Sequence, residues 1–243
     1  MKIERPAPRR LYTVPLRKWM AFVVALFALA STMAEAGPRD GFWEQGLRVF
    51  AVEDKKAEPI KGGVVFLGSS SVRFWPTRDF FPALLAVNRG ISGSHLADAR
   101  LYVDKTVFPY RPKLIIFYAG ENDISSGARP ENVLTEFQNF VQRVHEELTE
   151  TKIVFISIKP SPIRRAIWTR MREANVLIEL FCTSDERLRY VDVANHMLDR
   201  EGNPRQELFR EDGLHMNNLG YQLWTRLISP IVEEELAKPH WDL

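Results

Sequence analysis

Val64-Val65-Phe66-Leu67-Gly68-Ser69-Ser70-Ser71 runs from four apolar residues straight into a glycine and three serines. Four apolar residues closed by a glycine have the length of a buried strand rather than of a helix. Comparable runs recur at 86–88, 114–118, 153–158 and 189–193, so five strands are expected. Segments 42–55, 98–105, 132–150, 164–182 and 217–236 carry helical character instead. Pro130 falls near the start of the third, where its missing N–H costs little, and Pro230 marks the place for a bend in the last. Strand-length runs alternating with helices predict an α/β fold: a parallel sheet covered by crossover helices.

The chain has 243 residues, a formal net charge of +2 and no internal repeat or long linker, which suits one sizeable domain and a short extra segment. Much of the positive charge precedes Trp19, in Lys2, Arg5, Arg9, Arg10, Arg17 and Lys18. Without that segment nothing in the charge argues for nucleic acid as a partner. The apolar run at 19–30 is short of the roughly 20 residues that a membrane span needs, but it has signal-peptide length. Ala34-Glu35-Ala36 followed by Gly37 offers a small-x-small cleavage site. The expectation is a leader over 1–36, cleaved after Ala36, and one domain over 37–243 exported to the periplasm or secreted. A retained leader would instead anchor the chain, and only there would it meet a membrane. Cys182 is the single cysteine, so an internal disulfide is excluded and no cysteine near the cleavage site is present to carry a lipid.

In an open parallel sheet the ligand lies beyond the carboxyl ends of the strands, so chemically useful residues should follow the strands directly. Gly68-Ser69-Ser70-Ser71, Gly90-Ile91-Ser92-Gly93-Ser94 and Gly120-Glu121-Asn122-Asp123 each do. Near the C-terminus stands Asp212-Gly213-Leu214-His215, an acid and a base three residues apart. A serine hydroxyl becomes a nucleophile once a base takes its proton, and an imidazole oriented by a carboxylate is the usual base. Ser70 is the candidate nucleophile, His215 the base and Asp212 the group that holds the ring. A tetrahedral intermediate also needs donors for its oxyanion. The Asn122 amide and a backbone N–H of the 90–93 loop could supply them. Taken singly, each motif reads as well as a polar turn or a helix cap. A phosphate-cradling module is the second reading for 68–71, but it leaves Asp212 and His215 without a task.

These four segments resemble, in order, the four motif blocks of the SGNH hydrolases, the GDSL-type esterases and lipases. Gly68-Ser69-Ser70-Ser71 corresponds to the first block, with Trp75 where many members carry an aromatic residue, and Asn88 to Gly93 to the second. Gly120-Glu121-Asn122-Asp123 matches Gly-x-Asn-Asp, and Asp212-Gly213-Leu214-His215 matches Asp-x-x-His. Ser69 stands where the family usually has aspartate, and Ser71 where it has leucine. The family spacing from Gly68 and Trp75 selects Ser70 among the three serines. The resemblance implies a three-layer α/β/α sandwich, flavodoxin-like, with five parallel strands. It implies a Ser70-His215-Asp212 triad, an oxyanion hole from Ser70 N–H, Gly93 N–H and Asn122, and an acyl-enzyme formed without a cofactor on a small-molecule, glycan or lipid ester. Transfer of the acyl group to a glycan shares the first half-reaction and stays open. His95, His145, His196 and His240 lack a carboxylate at catalytic spacing, and no metal-ligand spacing occurs, so no metal is expected. Lys159-Pro160-Ser161-Pro162 reads as a stiff rim loop, with Arg164, Arg165 and Trp168 either touching substrate or starting a solvated helix.

Overall fold

Each of the five apolar runs forms a strand: β1 (Val64–Gly68), β2 (Ala86–Gly90), β3 (Leu114–Tyr118), β4 (Lys152–Ile156) and β5 (Leu188–Val191). All are parallel, in the order β2-β1-β3-β4-β5, with Val64 between Ala86 and Leu114, Leu114 opposite Lys152 and Ile153 opposite Leu188. The computed structural model describes residues 40–56, 59 and 61–237. The leader expected over 1–36, its cleavage site and His240 lie outside the described residues. Among the described residues no helix is long and apolar enough to cross a membrane.

A parallel sheet covered on both faces must present apolar side chains both ways, and β1 and β3 are buried along their full lengths. On one face Val65, Leu67, Ile115, Phe117, Ile153 and Phe155 form a core with Phe137, Phe140 and Ile178. Those partners come from α7 (Pro130–Glu147) and α8 (Trp168–Cys182). On the other face Phe66, Ile116, Tyr118 and Val154 pack with Trp75, Tyr221 and Trp224. The last two belong to α9 (Asn218–Ala237). Trp75 stacks on Tyr221 at 5.9 Å between centroids and meets Trp224 edge-on at 5.6 Å. This motif aromatic therefore locks the chain after the serines into the core. A first helix, α1 (Asp40–Lys56), is tied to the β2 edge, where Arg89 donates to Asp54 at 2.7 Å and to Glu53 at 3.1 Å.

The remaining helices are short: α2 (Ser70–Arg73), α3 (Thr77–Phe80), α4 (Leu96–Leu101), α5 (Val103–Thr106) and α6 (Glu121–Ser125). The helix expected over 98–105 is thus two, broken at Tyr102. Segment 164–182 opens with a 3-10 turn, Pro162–Ile167, before α8 begins. Pro130 is the first residue of α7, as its missing N–H favours, and Pro230 sits within α9 without ending it. β4 and β5 stop earlier than their apolar runs because Ser157 Oγ accepts the N–H groups of Val193 and Ala194, each at 2.9 Å, and draws both chains out of the ladder.

Candidate active site

At the end of β1, Gly68 has φ 145° and a Cβ there would lie 1.9 Å from the Tyr118 carbonyl oxygen, so glycine alone lets β1 turn this close to β3. Ser69 then caps α2, its carbonyl accepting the N–H groups of Val72 and Arg73 at 3.0 Å. Ser69 and Ser71 are buried, and the Ser71 carbonyl accepts the Tyr221 hydroxyl at 3.0 Å. The Ser70 hydroxyl instead reaches out to His215 Nε2 at 3.1 Å. Local packing thus separates three chemically identical residues.

The His215 end is a tight turn ahead of α9. Asp212 Oδ1 accepts the N–H groups of Leu214 and His215 at 2.9 Å, and Oδ2 meets His215 Nδ1 at 2.6 Å. Burial pushes the Asp212 carboxyl up, but the imidazole and the two backbone donors outweigh it and bring the group down to about 2. A carboxylate ionised at neutral pH draws the proton to Nδ1, which leaves Nε2 free to accept from Ser70. The Phe74 ring meets the imidazole edge-on at 5.1 Å and restrains it from the side.

Ser70 is the first residue of α2, so its N–H has no acceptor within the helix. Gly93 lies exposed in the loop after β2 with φ 77°, a conformation that favours glycine. Asn122, in the first turn of α6, donates through Nδ2 to the Ser94 carbonyl at 3.0 Å. Asp123 makes a second tie between the same loops, accepting the Leu96 N–H at 3.2 Å. Burial pushes the Asp123 carboxyl up to about 7, with Asp98 and Glu136 adding to the shift. Its Oδ2 is buried with no hydrogen-bond partner among the described residues.

Sequence reasoning missed what lies beneath. Lys159, expected on a rim loop, is 0% exposed, and its ammonium meets Glu121 Oε2 at 2.7 Å. The same carboxylate takes the Tyr118 hydroxyl at 2.6 Å, the Ser161 hydroxyl at 3.3 Å and Arg164 at 3.3 Å. Burial alone would raise Glu121, but Lys159 and Arg164 hold it below the usual carboxylate range, while burial lowers Lys159 against the pull of Glu121. A lone lysine closing the apolar run at 153–158 was the available signal, since a buried charge requires a partner. Arg164 is part of this cluster rather than of a solvated helix start, Arg165 is exposed, and Trp168 packs against the core.

The other histidines have different surroundings, and the His95 ring lies beside Asp123, Nδ1 to Oδ1 3.9 Å. His95 precedes α4, where Asp98 accepts its N–H at 2.8 Å. His145 Nε2 lies 2.9 Å from the Thr151 carbonyl, and His196 is exposed. Among the described residues no group of three His, Cys, Asp or Glu side chains could hold a metal ion. A cavity of about 660 Å³ lies between α1 and β2, lined by Phe50, Asp54, Asn88, Arg89 and Tyr110 among others, and includes none of Ser70, Asp212 or His215.

The family model described as GDSL-like Lipase/Acylhydrolase family matches residues 68–223. No protein of curated function matches the sequence. A putative platelet activating factor from Streptococcus pneumonia superposes with a TM-score of 0.71 at 19% identity, over 88% of this chain and 99% of that one. A GDSL-like lipase from Bacteroides thetaiotaomicron gives 0.66 at 23% identity, over 77% and 97%. A catalytic mutant of an acetylxylan esterase from Geobacillus stearothermophilus gives 0.57 at 12% identity, over 75% and 98%. At such identities these three likenesses speak to the fold.

Proposed function

The chain belongs to the GDSL-like lipase/acylhydrolase family, whose members hydrolyse esters, and on that footing we propose that it cleaves carboxylic esters through an acyl-enzyme on Ser70. His215 Nε2 takes the hydroxyl proton as Ser70 Oγ attacks the ester carbonyl carbon. The negative charge that develops on the carbonyl oxygen is met by the Ser70 N–H, the Gly93 N–H and the Asn122 amide. Collapse of the intermediate expels the alcohol, which takes the proton back from His215. A water molecule then repeats the sequence against the acyl-enzyme and frees the acid and Ser70. Asp212 keeps the imidazole in the required tautomer and stabilises its charged form.

The observation that carries this reading is the hydrogen-bonded line from Asp212 through His215 to Ser70, drawn together from positions 145 residues apart. A polar turn or cap has no reason to aim one of three serines at an oriented imidazole. The phosphate-binding alternative leaves this line unused. Ser70→Ala tests the reading: turnover of a nitrophenyl ester should fall at least about a thousandfold with the melting temperature kept. Retained turnover, or loss in Ser71→Ala instead, overturns it.

The substrate class is a small-molecule, glycan or lipid ester, and the site of action is outside the cytoplasm. The basic segment before Trp19, the apolar run at 19–30 and Ala34-Glu35-Ala36 support export. Mass spectrometry of protein from its native host should find a chain starting at Gly37. An intact chain held in the membrane fraction would replace release with anchoring.

A further inference from the structure

Asn122 is gripped at both ends of its amide. Oδ1 accepts from Arg164 Nη2 at 3.1 Å, and Nδ2 donates to the Ser94 carbonyl at 3.0 Å. A guanidinium has only donors and a carbonyl only an acceptor, so these two partners permit one orientation of the amide and forbid the flipped one. In that orientation Nδ2 keeps a second hydrogen, which is the one an oxyanion can use. Without Arg164 the carboxamide would retain a single tether and could rotate about its side chain.

Arg164 is itself fixed. Its other terminal nitrogen, Nη1, meets Glu121 Oε1 at 3.3 Å, and its side chain is 18% exposed. The forked guanidinium thus spans two neighbouring residues of one motif, a geometry that a single ammonium cannot reproduce. The segment bearing Arg164 also reaches the acid–base turn, where the Ile163 N–H donates to the Gly213 carbonyl at 3.2 Å. Pro160 and Pro162 stiffen it. One short connection after β4 therefore braces both halves of the site.

We propose that Arg164 is a positioning residue for this enzyme: anchored on Glu121, it sets the Asn122 amide so that its free N–H faces the developing oxyanion. The inference rests on the oxyanion reading of Asn122. It also changes the part that a surface arginine near a cleft would ordinarily be given, from gripping substrate to ordering a donor. Removing Arg164 leaves Glu121 paired with Lys159, Tyr118 and Ser161, so the buried carboxylate is not orphaned.

The test is steady-state kinetics on p-nitrophenyl acetate, with thermal melts, for Arg164→Met, Arg164→Lys, Asn122→Ala and the double variant Asn122→Ala/Arg164→Met. Arg164→Met should lower kcat about ten- to hundredfold with KM within about twofold, because a misaimed donor acts on the transition state. Arg164→Lys keeps the charge without the fork; it should fall between, and it serves where the methionine variant does not fold. In the Asn122→Ala background Arg164→Met should change kcat by less than about twofold, since the amide it orders is gone. A rise in KM alone would make Arg164 a substrate contact and overturn the inference. So would a full further loss in the Asn122→Ala background. An undiminished kcat in Asn122→Ala by itself would instead sink the oxyanion reading.

Discussion

Two charged assemblies meet at this site, and they are built in opposite ways. The Asp212–His215 pair is wet, with side chains 47% and 23% exposed, and is held by hydrogen bonds within four consecutive residues. The Glu121–Lys159 pair is dry, at 4% and 0% exposed, and joins residues 38 positions apart. On the proposed mechanism, the difference follows from the task each would perform. A base that receives and returns protons must be reachable by substrate and water, so its orientation is secured cheaply and locally. Donors to an oxyanion gain from being fixed in advance, and a buried ion cluster holds them at the cost of desolvation.

The sharpest break of this contrast lies on the wet side. His215→Ala should lower kcat at least about a thousandfold without moving the melting temperature by more than a degree or so, because nothing in the core depends on it. Asp212→Asn should keep roughly ten- to a hundredfold more activity than His215→Ala, since the aspartate orients the base without taking the proton. Kinetics with circular-dichroism melts on both variants decide it. A large loss of stability in either would place the pair in the structural class.

Asn122→Ala should come next, with kcat lower by about a hundredfold and KM little changed. A change in KM alone would assign Asn122 to ground-state binding.

On the dry side the expected readout is stability. Lys159→Met strips the buried Glu121 carboxylate of its nearest cation, a loss of about 3–5 kcal/mol, or roughly 6–20 °C in melting temperature for a domain of this size. Adding Glu121→Gln should restore part of that loss, because the uncompensated charge is gone. A Lys159→Met melt within a degree of the parent would show that the pair contributes nothing.

The smallest effect concerns Asp123. Its carboxyl titrates near 7 when folded and near 4 when unfolded, so between those values the folded chain keeps a proton that the unfolded chain has lost. Stability from this group therefore falls as pH rises from about 4 to 7 and is level above. Asp123→Asn, which keeps an acceptor for the Leu96 N–H, should melt a few degrees higher than the parent at about pH 8 and lose that advantage by about pH 4. A gap that does not change with pH would remove the titration as its cause.

Much of this was legible in the sequence, for reasons that individual elements make plain. The strands were readable because 64–67 and 114–118 are buried on both faces and so are apolar throughout. The candidate site residues could be named because they fall within short motifs, three of which directly follow strands. Helices of four and five residues such as α2 and α6 were not, since they are too short to show a period. The exact ends of β4 and β5 depended on the Ser157 hydroxyl, which competes with the ladder from outside it. The ion pairs of Glu121 were equally invisible, because Lys159 and Arg164 lie 38 and 43 positions away and local spacing carries no trace of such pairings. Local motifs could be read in the sequence, whereas the buried cluster beneath them came from contacts between distant segments.

The central claim is that Ser70, activated by His215, is the attacking group. The most direct measurement is covalent labelling with an organophosphonate, followed by peptide mass spectrometry across the three adjacent serines. The adduct should fall on Ser70 and disappear in His215→Ala. An adduct on Ser69 or Ser71, or undiminished labelling of His215→Ala, would contradict the account.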